Sequence, residues 1–130
     1  MTLAQAKAVM AAAEAEALKN GWPMVIAIVD SGASLVLLER MDNAQLGSLQ
    51  VAQDKAGTAV KFRRATKVFQ ELVGAGGQNL RLLAMNGVAP LEGGIPLFLD
   101  GRIIGGIGVS GMASGQDQQV AEAGQAALMG

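Results

Sequence analysis

Apolar positions along this chain recur with two different periods. Over the first twenty residues Leu3, Ala6, Met10, Ala13 and Ala17 return every three to four positions. They follow a Thr2/Gln5 pair spaced as a capping box, and together these features predict an amphipathic helix. Asn20-Gly21 stops it, with Pro23 just beyond. Residues 24–29 form an unbroken apolar run rich in β-branched side chains, the pattern of a central strand covered on both faces. Asp30-Ser31-Gly32-Ala33 then predicts a turn into a second strand over 34–41, and so a hairpin.

The helical period returns after Asp42-Asn43, from Leu46 to about Arg64, with Leu49, Ala52, Ala56, Ala59 and Val60 on one side. Gly57 in its middle costs about 1 kcal/mol against Ala, which suggests close packing against a neighbour there. Shorter helical pieces are expected over 66–72 and 79–85, divided by Gly74, Gly76 and Gly77. Residues 95–99 and 102–109 flank Asp100-Gly101, a type I′ hairpin signal and the most specific local motif in the chain. In the return strand Ile103, Gly105, Ile107 and Val109 should face one way. Ile104, Gly106, Gly108 and Ser110 should face the other, a nearly bare face of the kind that admits another backbone or a ligand. A last helix, from 115 or 116 to 129, carries Val120, Ala123, Ala127 and Leu128. A fifth short strand is expected near 88–91. The content is α/β, of the α+β kind: a largely antiparallel sheet with helices packed on it, in one domain spanning 1–130.

Composition narrows the chemistry. The 130 residues carry ten Lys and Arg against eleven Asp and Glu, with four aromatics and no basic run, so nothing marks a nucleic-acid partner. Cys and His are both absent, which excludes disulfides, thiolate nucleophiles, His-based triads and Cys/His metal sites; no metal site is expected. Charged residues or clustered glycines interrupt every apolar run, so no membrane-spanning helix is expected. Lys7, Glu14, Glu16 and Lys19 break the stretch where a signal sequence would lie, and a cytoplasmic location follows as the expectation.

Gly106-Ile107-Gly108-Val109-Ser110-Gly111 fits the G-x-G-x-x-G pattern, but a dinucleotide fold needs a following parallel strand and a later acidic residue. The chain ends at Gly130 without them. A milder reading survives: backbone N–H groups near Ser110, Gly111 and Ser114, where the last helix starts, are placed to receive a carboxylate. Arg40, Asp42, Lys55, Glu92 and Asp117 are the polar residues at element ends that remain as acid, base or anion-binding groups. Each is more often a solvated or ion-paired surface group.

Gly21-Trp22-Pro23, Val29-Asp30-x-Gly32, Glu39-Arg40-Met41-Asp42-Asn43-Ala44, Lys55-Ala56-x-Thr58-Ala59, Gly93-Gly94-Ile95-Pro96 and Ile107-Gly108-Val109-Ser110-Gly111 with Asp117 occur in order almost end to end. In this the chain resembles the GlcG/HbpS-like family, which includes secreted haem-binding proteins, a haem-binding domain attached to a cobalamin adenosyltransferase, and stand-alone proteins encoded beside catabolic genes. The resemblance implies a profilin-like α/β/α sandwich with a central antiparallel sheet of about five strands, and homo-oligomers from dimer to octamer. It implies binding of a small ligand, haem or a related tetrapyrrole, although His, Cys and Tyr are missing, which leaves Met or, less usually, Lys as an axial ligand. The alternative is an enzyme of small hydroxy- or oxo-acid catabolism. There Arg40 or Lys55 would hold a carboxylate, Gly94, Ser110 and Gly111 would line the cleft, and Asp42 or Asp117 would move a proton. A second alternative is a non-catalytic oligomeric partner subunit.

Overall fold

The computed structural model describes residues 1–129. Helix α1 (Leu3–Asn20) opens on the expected capping box: Thr2 Oγ1 accepts from Gln5 N at 3.0 Å while Gln5 Oε1 accepts from Thr2 N at 2.8 Å. Its buried face is Ala6, Val9, Met10, Ala13 and Ala17; Leu3, expected on that face, is exposed. Strands β1 (Val25–Asp30) and β2 (Leu35–Arg40) form the first hairpin, whose turn is held by Asp30 Oδ1 accepting from Gly32 N and Ser34 N. Helices α2 (Ser48–Phe62) and α3 (Lys67–Ala75) and a 3-10 segment (Gly77–Ala84) follow. Strands β3 (Gly94–Leu99) and β4 (Arg102–Ser110) turn at Asp100 and Gly101, both at positive φ (51° and 76°) as a type I′ turn requires. Helix α4 (Ser114–Ala126) closes the fold.

The sheet is antiparallel, in the order β2-β1-β4-β3. Strand β1 is central, as its unbroken apolar run predicts, and its alternate residues feed two cores. Ile26 and Ile28 join Ile95, Leu97, Ile107 and Val109 beneath α1 and α4, whereas Val25, Ala27 and Val29 meet Ala52, Ala56 and Val60 of α2. This is the α/β/α sandwich.

The sheet has four strands rather than about five. Residues 88–91 form no strand because threonine side chains take their hydrogen bonds. Ala89 N donates to Thr58 Oγ1 at 2.9 Å, and Thr66 Oγ1 donates to the Leu91 carbonyl. The bare face of β4 lies against α2: a Cβ at Gly108 would overlap the Ala52 carbonyl oxygen and stand 2.5 Å from Ala56 N, and one at Gly106 would stand 2.8 Å from the Ala56 carbonyl oxygen. Close packing is thus supplied by the strand glycines and not by Gly57, where an added Cβ meets nothing within 4 Å.

The alternation of β4 also breaks. Leu97 pairs with Gly105 and Phe98 with Ile103, so Ile104 is an extra residue that turns toward Ile107 and Val109. Ile103 is left on the side of Val60. In α4 the residues turned inward are Asp117, Val120, Ala121 and Gly124; Ala127, past the helix end, is exposed. Among the described residues no helix is long and apolar enough to cross a membrane.

Candidate functional site

Helix α2 brings Lys55 to the end of β4, and α4 brings Asp117 to meet it. Lys55 Nζ donates to the Val109 carbonyl at 2.8 Å and to Asp117 Oδ2 at 3.1 Å; each residue is 3% exposed. Gly93 makes room for the pair, since a Cβ there would stand 2.9 Å from both Lys55 Nζ and Asp117 Cβ. Gly94 lies flat against the Lys55 backbone, where a Cβ would overlap the Lys55 carbonyl oxygen. Burial pushes the Asp117 carboxyl above its ordinary value, opposed by the Lys55 charge and by backbone N–H groups of Met112 and Gly111.

Two N–H groups just before α4 are occupied by side chains of the helix itself. Asp117 Oδ1 accepts from Met112 N at 3.0 Å, and Gln116 Oε1 accepts from Ala113 N at 3.2 Å. The anion expected at this turn is the chain's own carboxylate. Ser110 Oγ donates to Ser48 Oγ at 3.0 Å, and Ser48 also accepts from Gln45 Nε2, a partner the sequence pattern did not single out. The structure thus brings Lys55, Gly94, Ser110, Gly111 and Asp117 together at the end of β4. Neither Lys55 nor Asp117 lines any of the cavities described below. The cluster is a closed clamp joining α2, α4 and the end of β4.

Arg40 and Asp42 lie elsewhere. Arg40 and Ser110 pair with Val25 from opposite sides, so two strand spacings, about 10 Å, separate their backbones. Both Arg40 and Asp42 are exposed and line a cavity of about 290 Å³ with Glu14, Leu18, Glu39 and Met41. A neighbouring cavity of about 310 Å³ shares Glu14 and Glu39 and adds Lys7 and Met10, so a groove runs between α1 and β2. Burial, then the hydrogen bond and charge of Glu14, pushes the Glu39 carboxyl up to about 7. Neither glutamate was a candidate from sequence. Glu92 is half-buried, with its backbone N–H donating to Gln70 Oε1 at 2.8 Å.

A larger cavity, about 540 Å³, opens between the end of α2 and the β3–β4 hairpin, lined by Ser31, Val60, Arg63, Phe98, Gly101, Arg102 and Ile103. Arg63 follows the last turn of α2 at φ 54°, a left-handed conformation few non-glycine residues adopt. Neither Arg63 nor Arg102 was singled out from sequence, because the left-handed turn at Arg63 and the shared cavity wall exist only in the fold. Among the described residues no group of three or more His, Cys, Asp or Glu side chains could hold a metal ion.

The whole chain is similar to known proteins. The family model described as haem degrading protein HbpS-like matches residues 1–126. Protein GlcG of Escherichia coli (strain K12) is 42% identical over 105 residues, 81% of this chain and 77% of that protein. The crystal structure of Klebsiella pneumoniae protein ORFY matches with a TM-score of 0.93 at 30% identity, over 99% of this chain and 90% of that one. A crystal structure of a PduOC:Heme complex matches with a TM-score of 0.88 at 32% identity, over 98% of this chain and 94% of that one.

Proposed function

The chain belongs to the HbpS-like family, and from that premise we propose that it binds a small, largely apolar ligand bearing carboxylates, haem or a related tetrapyrrole. The observation that carries this reading is its near full-length likeness to a structure containing haem. Haem presents an apolar plate, two propionates and an iron, and this chain's side chains suit the first two better than the third. With no His, Cys or Tyr in the sequence, and no thioether among the residues lining the 540 Å³ cavity, the iron meets no protein ligand there. The test is a haemin titration followed at the Soret band: a saturable shift at one equivalent per chain or per dimer is expected. A spectrum that stays that of free haemin overturns the reading.

A second reading, an enzyme acting on small hydroxy- or oxo-acids, is favoured by the α1–β2 groove. There Arg40 offers a carboxylate anchor beside a carboxyl, Glu39, that changes protonation near neutral pH. In this reading Glu39 takes the proton-moving role, beside Asp42, because Asp117 is sealed in the clamp. Stabilisation by hydroxy- or oxo-acids in a thermal-shift screen, lost in Arg40→Ala and Glu39→Gln, is its expected signature. No stabilisation by any such acid removes it. We also propose a homo-oligomer whose contact includes α3 and the 3-10 segment. These bury only Phe69 between them and leave Leu72, Leu80 and Leu83 exposed.

A further inference from the structure

We infer that the cavity between the C-terminal end of α2 and the β3–β4 hairpin is the ligand site, that Arg63 and Arg102 hold two carboxylates of a flat apolar ligand there, and that binding does not depend on a metal in the ligand. The inference rests on the proposed function and gives it a location and a selection rule.

The lining, two arginines beside apolar side chains, sets this cavity apart from the others. At about 540 Å³ it falls within the range of small-molecule sites, roughly 300 to 1,000 Å³. The two parts of the α1–β2 groove are about 310 and 290 Å³, and the space between α2 and the β1–β2 turn is about 240 Å³. Its walls divide by chemistry: Val60, Ile103 and Phe98 give an apolar surface, while Arg63 and Arg102 come from two different elements. Among the described residues neither arginine is in an ion pair. Of the acids flanking its wall, Asp30 is committed to its own turn through Gly32 N at 2.9 Å and Ser34 N at 3.0 Å, and Asp100, beside Gly101, is in no ion pair with either arginine. A guanidinium receives a carboxylate through two parallel N–H donors, so two free forks beside an apolar wall suit a planar molecule with two carboxylates.

The hairpin bulge builds the site. By inserting Ile104 as an extra residue it puts Ile103 on the α2 side beside Val60, where strict alternation from Ile107 would have pointed it into the other core. The left-handed backbone at Arg63 is closed by a Schellman pair of bonds, Arg64 N to the Ala59 carbonyl at 3.2 Å and Arg63 N to the Val60 carbonyl at 3.4 Å, which sets where its side chain leaves the helix end.

The experiment titrates the full chain with three probes, haemin, metal-free protoporphyrin IX and protoporphyrin IX dimethyl ester, by absorbance and by quenching of Trp22 fluorescence. Haemin and protoporphyrin IX are expected to bind within about threefold of each other, and the ester at least about tenfold more weakly. Arg63→Gln and Arg102→Gln are each expected to lose about tenfold, the range of one charge-assisted hydrogen-bonded contact. Arg64→Gln, which alters charge beside the Phe69 ring rather than in the cavity, should bind as the parent does. If Arg63→Gln folds poorly, Arg63→Lys keeps the cation and loses the fork, and the Arg102 variant tests the hairpin side independently. Binding of haemin without protoporphyrin IX, or binding of both unchanged in the Arg63 and Arg102 variants, overturns the inference while sparing the proposed function. Binding of neither porphyrin overturns both.

Discussion

Removing either half of the Lys55–Asp117 clamp should destabilise the fold, but by amounts that depend differently on pH. In Asp117→Ala the Lys55 ammonium, 3% exposed, keeps one neutral partner, the Val109 carbonyl at 2.8 Å. Breaking a buried pair in this way costs about 3 to 5 kcal/mol, a large part of the roughly 5 to 15 kcal/mol that holds a domain together. In Lys55→Met the carboxylate keeps the Met112 and Gly111 N–H groups, and burial already favours its protonated form. Losing the Lys55 charge raises that carboxyl further. The folded state then binds a proton that the unfolded chain releases above its ordinary value of 3.8, so stability falls as pH rises through the interval between the two values, by at most about 1.4 kcal/mol per pH unit. Lys55→Met should therefore be close to the parent at pH 4 and clearly weaker at pH 8. The double variant Lys55→Met/Asp117→Leu, with no buried charge left, should recover much of the loss at both pH values. Urea unfolding with linear extrapolation at pH 4, 6 and 8 measures all of this. Asp117→Ala within about 0.5 kcal/mol of the parent, or a double variant no better than Asp117→Ala, would refute the assignment of the pair as a structural clamp.

Gly108→Ala forces a methyl against the α2 backbone at Ala52 and Ala56, where no side chain can yield. A loss at the upper end of the usual 1 to 3 kcal/mol for overpacking is expected by urea unfolding, and a neutral result would contradict the close approach. Glu39, raised from 4.5 to about 7, takes up a proton on folding, so the parent should lose stability as pH rises from about 4.5 through 7. Solvent screening of this half-buried group reduces the effect to about 1 kcal/mol, and Glu39→Gln should flatten that part of the profile; an unchanged slope denies the raised value. Leu80→Glu with Leu83→Glu should shift the mass from light scattering toward the monomer of 13.2 kDa. An unchanged assembly places the contact away from the 3-10 segment.

Features written in adjacent residues were legible without the fold. The Thr2/Gln5 box closes within one turn, Asp100-Gly101 selects its turn through its own φ angles, and the unbroken apolar run of β1 announces burial on both faces. The G-x-G-x-x-G match lies on antiparallel β4, where its glycines admit the α2 backbone. The rest depended on groups far apart in sequence meeting in space. Residues 88–91 lost their strand because Thr58 and Thr66, from other elements, took over their hydrogen bonds. A single extra residue at Ile104 exchanged the faces of the two isoleucines at the hairpin end. Lys55 and Asp117, both candidates from sequence, proved to satisfy each other and so form no open cleft; Arg40, Asp42 and the two glutamates were left together in one groove. Arg63 and Arg102 became neighbours only when α2 settled on the glycines of β4. Short-range torsions and capping bonds are determined by local residue identity, whereas a buried charge pair or a cavity wall exists only once packed layers decide which distant side chains are desolvated together.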